Sequence, residues 1–571
     1  MIGVISRSTE IEAVEEFFQL FKTPWEFFRE GQVYDVLIAT TDQIPEIGVK
    51  TILSYGSEIK SSDRGAKVKT SSTWHGAKLD FRGTQIPIYG DLLGFEAGGS
   101  GVLGVVGKSE FSGLQLNSAG VTIFRFGYDL FAEVGRLLKT GQPIEHARTP
   151  TLELHIAIMR DSILSSGIEL IEIPAVPAGY EFTVCLTHDI DFVGIRLHFF
   201  DHSMWGFLYR STVGAVREFG RGRISLGRLV RMWRAAGSLP FVYLGWMKDF
   251  WLPFEWYLKI EEGLSPTYFL IPFKHRAGDK VLGRHANRRA TAYDVTDLRD
   301  WTARLLEEGC ELGVHGIDAW HDVEKARSEL ERVAGVTGRR DMGIRVHWLL
   351  HDDTTYRVME EAGYSYDSTA GYNETIGYRC GTTQPFRPLG ARELLELPLH
   401  IQDGALFFPE RLGLPESEAW QLCREIVANA KHFGGVVTVL WHDRSPGPER
   451  FWGEFYARLV QELKSMAVWF ASGGRTVSWF RARREVVFER VGATVRAKRC
   501  SGEMMGLPPL TLRVHRPDSS LTRTAGRAAG SAQAVDICWT GGTEIALDAL
   551  LGGVPRPQTA DICPLTTGCD L

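Results

Sequence analysis

From residue 182 to residue 442, short apolar runs alternate with helical stretches, and this alternation restricts the middle of the chain to a parallel sheet layered with helices. Runs at 182–192, 267–271, 311–315, 343–347, 394–397 and 436–442 read as strands. Helical periodicity fills 297–308, 323–333, 354–362 and 416–432. Such a sheet is either open or curled into a barrel, and in both forms its chemistry gathers where the strands end.

The first run ends in Thr187-His188-Asp189-Ile190-Asp191. Side chains two apart on a strand share a face, so Asp189 and Asp191 point into one site. Two carboxylates there suit a metal ligand beside a general base, because a cation offsets their repulsion. The plainer reading is a helix N-cap at the end of a strand. Other strand ends carry the same kind of residue. His315 closes one run, with Asp318 and His321 just beyond; His347 closes another; His442, followed by Asp443, closes a third. A lone histidine is usually structural, but three strand ends together with an Asp pair describe a shared site.

The 571 residues call for two or three domains, and 44% apolar and 23% charged content is that of an ordinary globular protein. A net charge of −6 offers no basic stripe for nucleic acid. Eight cysteines without CxxC spacing argue for reduced thiols and against a thiolate zinc site. No signal-like or membrane-spanning run is legible, so a cytoplasmic location is expected.

Three regions are expected along the chain: an N-terminal α/β accessory region at 1–175, the βα core at 176–488, and a small β-rich appendage at 489–571. In the first, hairpins are expected over 65–95, and a helix from Thr151 with Thr149 as its N-cap. The run Gly99-Ser100-Gly101-Val102-Leu103-Gly104 fits GxGxxG, but Val105-Val106 continue it as extended chain. It therefore reads as a glycine-rich turn and not as a dinucleotide loop. After the first core strand comes an aromatic and basic insertion at 192–262, which includes Trp205, Trp233, Trp246, Arg210, Arg217, Arg228 and Arg231. It reads as a helical layer packed on the barrel with a solvated basic face; peripheral contact with an anionic membrane is the alternative.

The motifs also carry a family resemblance. Residues 180–480 resemble the polysaccharide deacetylase superfamily, the NodB-homology fold of carbohydrate esterase family 4. Five motifs match in order: Thr187-His188-Asp189-Ile190-Asp191, Gly313-Val314-His315-Gly316, Gly377-Tyr378-Arg379-Cys380-Gly381, Leu395-Glu396-Leu397-Pro398 and Leu440-Trp441-His442. Asp367 in Tyr366-Asp367-Ser368-Thr369 also fits, and residues 1–175 resemble the extra domain of long bacterial members.

The resemblance implies a distorted (β/α) barrel. It also implies a hydrolase that removes an N-acetyl group from an amino sugar in a glycan or glycan precursor. By motif, Asp189 is the general base, Asp191 a ligand of a divalent metal such as zinc, and Arg379 the residue that orients the catalytic Asp; His442 is the general acid. His315 is the second ligand. The family's next histidine slot holds Ala319, so the third ligand lies between His321 and His347. That departure keeps open a non-catalytic glycan-binding or scaffolding member of the fold. A hydrolase of another non-peptide C–N bond is the remaining alternative.

Overall fold

Phe182–Ile190 (β1) is buried at all nine positions, as a central strand covered on both faces must be. The computed structural model describes residues 1–45, 48–96, 101–118, 120–222, 224–491, 494–499, 504, 506–517, 533–539, 544–547 and 562–564. Eight further strands complete the central sheet: Thr267–Leu270 (β2), Glu311–Gly316 (β3), Gly343–Val346 (β4), Tyr366–Asp367 (β5), Leu395–Glu396 (β6), Ile401–Gln402 (β7), Val436–Leu440 (β8) and Val468–Phe470 (β9).

They run in the order β6-β5-β4-β3-β2-β1-β8-β7, with β9 pairing the start of β1. Every pairing is parallel. Among the described residues no ladder joins β6 to β7, so the curled sheet is a half-barrel. The helices Arg299–Glu307, Val323–Thr337, Thr355–Ala362 and Glu416–Phe433 fall within a few residues of their predicted spans.

The N-terminal region forms a separate sheet of eleven strands. Its parallel part, Ile2–Ile5, Val36–Ala39 and Thr51–Tyr55, is built from the apolar runs of the sequence. Lys78–Phe81 and Thr84–Pro87 form a hairpin, as expected for 65–95. Gly101–Val105 is a strand paired with Phe111–Ser118, so the GxGxxG-like run opens no helix; Gly99 and Ser100 lie outside the described residues. The helix Thr151–Ser165 has Pro150 at its N-cap position and no side-chain cap, which corrects the expectation for Thr149.

The insertion is helical: His202–Tyr209, a π-helical turn at Arg210–Gly214, Ala215–Gly220, Leu226–Tyr243 and Phe254–Ile260. Part of its basic face is bound to the core. Arg228 pairs with Glu416 at 2.8 Å and Arg231 with Glu454 at 3.1 Å, and both guanidinium groups lie over the Phe451 ring. No helix among the described residues is long and apolar enough to cross a membrane.

At the far end of the chain, Leu510–Arg516 pairs antiparallel with both Leu170–Glu172 and Gln533–Trp539. A buried carboxylate fastens this junction. Glu172 accepts from Arg160 Nε and Nη2, both at 2.9 Å, and bonds His515 Nε2 at 3.0 Å. Burial alone would raise the Glu172 carboxyl; Arg160 and His515 outweigh it and hold the group well below its ordinary value. A carboxyl depressed by folding stabilises fully above its unfolded value of about 4.3 and progressively less as the pH falls. Glu172→Gln is expected to cost about 2 kcal/mol at neutral pH, the scale of a charge-assisted bond. The difference in urea midpoint between the two proteins should close on acidification, and a difference that persists unchanged to pH values well below the carboxylate range would refute this role.

Candidate metal centre and catalytic groups

Alternation along β1 decides what its last residues do. Thr187, Asp189 and Asp191 lie on one face and His188 on the other. His188 is fully buried there, bonded through Nδ1 to the Trp441 carbonyl (2.9 Å) and through Nε2 to Glu261 (2.8 Å). It is a structural histidine, whereas the two aspartates open into a cavity of about 440 Å³. Strand β4 repeats the device: Arg345 and His347 are two apart, and the curl of the sheet carries them across to Asp189 and Asp191.

Asp191, His315 and His347 bring their ligand atoms together within 4.8 Å of one another. The Asp191 Oδ1 atom is 3.2 Å from His315 Nε2 and 3.5 Å from His347 Nε2. It is buried and makes no hydrogen bond. His315 Nδ1 lies 2.9 Å from the Arg345 carbonyl, which can only accept, so Nδ1 carries a proton and Nε2 is the atom turned to the carboxylate. Burial holds His347 well below its ordinary value, hence neutral. Two imidazole nitrogens and a carboxylate oxygen facing one another form a donor set that suits a divalent cation. His321 is elsewhere: it bonds Asp318 at 3.0 Å and lies outside this group, whereas His347 lies within it.

The surroundings hold His347 in place. Fully buried Arg289 donates to its carbonyl at 3.0 Å. The chain then turns through Trp348 (φ 68°) and Leu349 (φ 54°), a left-handed conformation that non-glycine residues rarely adopt and that clusters at functional sites.

Asp189 is held by a cation. Arg345 Nη1 reaches its Oδ1 at 3.0 Å and Thr187 Oγ1 at 2.8 Å, while Nε and Nη2 donate to the Ser368 carbonyl and hydroxyl at 2.9 and 2.8 Å. Arg379, expected in this role, donates instead to the Gln142 carbonyl at 2.9 Å and lies over the Tyr372 ring. Its loop packs on the N-terminal region, and position along the chain gave no sign of that. The second oxygen of Asp189 is 3.8 Å from His315 Nε2.

Opposite Asp189, His442 places Nε2 3.9 Å from Asp191 Oδ2. Its Nδ1 bonds Asp403 at 2.5 Å, and its backbone N–H donates to the same carboxylate at 2.8 Å. Burial would lower His442, but Asp403 and then the other site carboxylates raise it to about 9, so it is protonated at neutral pH. Asp443 faces away from this role; its carboxylate caps the backbone N–H groups of Phe192 and Val193 at 2.8 and 2.9 Å. Asp403 and Arg345 were missed as site residues in the sequence. Arg345 was detectable in principle, two residues before His347 on a strand, and Asp403 as the polar end of the short Ile401–Gln402 strand.

No family model matches the chain, and no curated protein matches it. Solved structures do. A Mycobacterium smegmatis protein assigned to the polysaccharide deacetylases is 19% identical, covering 55% of this chain and 96% of that one, with a TM-score of 0.33. The recurrent similarity is to polysaccharide deacetylases. Agd3, described as a carbohydrate deacetylase, matches over 95% of this chain and 97% of its own at 9% identity and a TM-score of 0.35. An allantoinase matches over 54% of this chain and 92% of its own, at 14% identity and a TM-score of 0.31. Superpositions this loose leave the reading of the site to the chain's own geometry.

Zinc titration against a chromophoric chelator checks the ligand set. His315→Ala and His347→Ala should each weaken binding by more than about 100-fold, beyond the effect of losing an outer-sphere partner. His321→Ala should stay within about 3-fold of the parent, since its partner Asp318 is outside the group.

Proposed function

We propose that the chain is a metal-dependent hydrolase that removes an N-acyl group, acetyl in the simplest case, from an amino sugar. The observation that carries this reading is the unpartnered Asp191–His315–His347 group, flanked by Asp189 with its buried cation and by His442 with its buried anion. A scaffold that only bound glycan would have no use for two oppositely charged proton-transfer partners facing one cation site. The five sequence motifs in order add to this, and Phe192, Trp348 and Phe408 give the cavity flat apolar walls suited to a sugar ring.

Asp191, His315 and His347 would hold the ion. A divalent cation, with zinc fitting the donor set, supplies Lewis acidity toward the acyl carbonyl and toward water. Asp189 takes the proton from the attacking water. Its Oδ1 is occupied by Arg345, so Oδ2 receives that proton, and the guanidinium holds the carboxylate in place. On the other side His442 donates the Nε2 proton to the departing nitrogen as the C–N bond breaks. Asp403 fixes Nδ1–H and stabilises the charged ring. The products are a free amine and a carboxylic acid.

Acetate release from N-acetylated sugars by the zinc-loaded protein tests the reading. Asp189→Asn should lower kcat by about 10²- to 10⁴-fold, the usual worth of a general base, while zinc affinity changes little. Arg345→Met should fall in the same direction, whereas Arg379→Ala should leave kcat within about 3-fold because its guanidinium bonds a distant carbonyl. A zinc-loaded protein that releases no acid from any N-acylated sugar would end the proposal.

A further inference from the structure

The cavity above the metal-ligand group carries a charge that the hydrolysis does not require. Five guanidinium groups line it, from Arg210, Arg288, Arg411, Arg444 and Arg450, and they come from the insertion, the segment after β2, and the segments after β7 and β8. Among the described residues the only acids lining it are Asp189 and Asp191, both already engaged at the floor. Arg444 has its own counter-ion in Glu449 at 3.0 Å and lies over the Phe192 and Trp251 rings. Arg411 donates to the Asn373 carbonyl.

The side chains of Arg210, Arg288 and Arg450 make no ion pair and no hydrogen bond among the described residues. Arg450 is nonetheless held in place, its guanidinium 4.9 Å from the Phe408 ring centre and 4.8 Å from that of Trp452. Burial, and then the Arg444 cation, push Arg450 down to about 10 and Arg210 below its ordinary value. Cations gathered in this way repel one another, and the cost falls when an anion enters. A planar guanidinium matches two oxygens of a phosphate at once, and several can share one tetrahedral anion.

The backbone agrees. Arg210 opens the π-helical turn Arg210–Gly214, a local widening of a helix that recurs at functional sites. His202 and Ser203, from the preceding helix, line the same wall. The basic insertion is therefore part of the site and not only a solvated layer.

We infer that the N-acylated substrate bears an anionic group of the phosphate-ester class, gripped by Arg210 and Arg450 at the cavity mouth while the acyl group reaches the Asp191–His315–His347 floor. The inference rests on the hydrolase reading for the sugar and adds the charge that selects it.

The test is binding to the zinc-loaded full-length protein by titration calorimetry, with N-acetylglucosamine 1-phosphate and unphosphorylated N-acetylglucosamine as probes. The phosphorylated sugar should bind about 30-fold tighter, the scale expected of charge-assisted bonds to two guanidinium groups. The preference should shrink as salt is added. In the double variant Arg210→Gln, Arg450→Gln it should fall to about 3-fold or less with affinity for the neutral sugar retained. Retained neutral-sugar binding also shows that the variant is folded.

Equal binding of the two sugars by the parent protein overturns the inference. So does a phosphate preference untouched by the double variant, which would place the anion on the metal ion. The two readings fail separately. Acetate released equally well from neutral and phosphorylated sugars keeps the hydrolase and removes the anion site. A phosphate preference lost in the double variant, with no acetate released from any N-acetyl sugar, keeps the anion site and removes the hydrolase.

Discussion

The arrangement at Asp191 governs the rest of the site. A carboxylate oxygen and His315 Nε2 face each other at 3.2 Å in a buried pocket, with His347 at 3.5 Å. Acceptors do not hold such positions for their own sake, since each buried one without a donor costs free energy. The neighbouring structure removes every easy relief. The Arg345 carbonyl occupies the Nδ1–H of His315, and burial keeps His347 from gaining a proton. What remains is a carboxylate and two imidazoles whose ligand atoms lie within 4.8 Å of one another, with the flanking groups arranged around them.

Arg345 links this centre to the sheet. Its carbonyl accepts from His315 while its guanidinium binds Asp189, so one residue of β4 orients both side chains. Strand curl makes this feasible. β4 is three places from β1 in sheet order, yet their inward faces meet across the half-barrel.

Much of this was legible in the chain because it obeys a period of two. Asp189 and Asp191, and the histidines at the ends of β3, β4 and β8, were visible from pattern alone. Arg379 went astray for a physical reason. Motif order along a chain does not say which loop folds onto which region, and the loop of Arg379 is claimed by Gln142 of the N-terminal sheet region. Asp403 stayed hidden because a two-residue strand carries too little periodicity to be read. The insertion was read for composition, which identified its charge but not that Arg210, at the start of a π-helical turn, would line the cavity.

The double grip of Asp403 on His442 has a stereochemical corollary. Ring and backbone N–H are tied to one carboxylate, so turning the imidazole breaks its bond to an Asp403 that the main chain still holds in place. Only its Nε2 edge is left to serve an incoming molecule, and that edge is turned toward Asp191. For the hydrolysis proposed above, that edge sets the side of the acyl plane on which the departing nitrogen must arrive. In that reaction an epimer presenting its nitrogen from the reverse side would stay intact, so the handedness of the proposed reaction rests on hydrogen bonds that the substrate never touches.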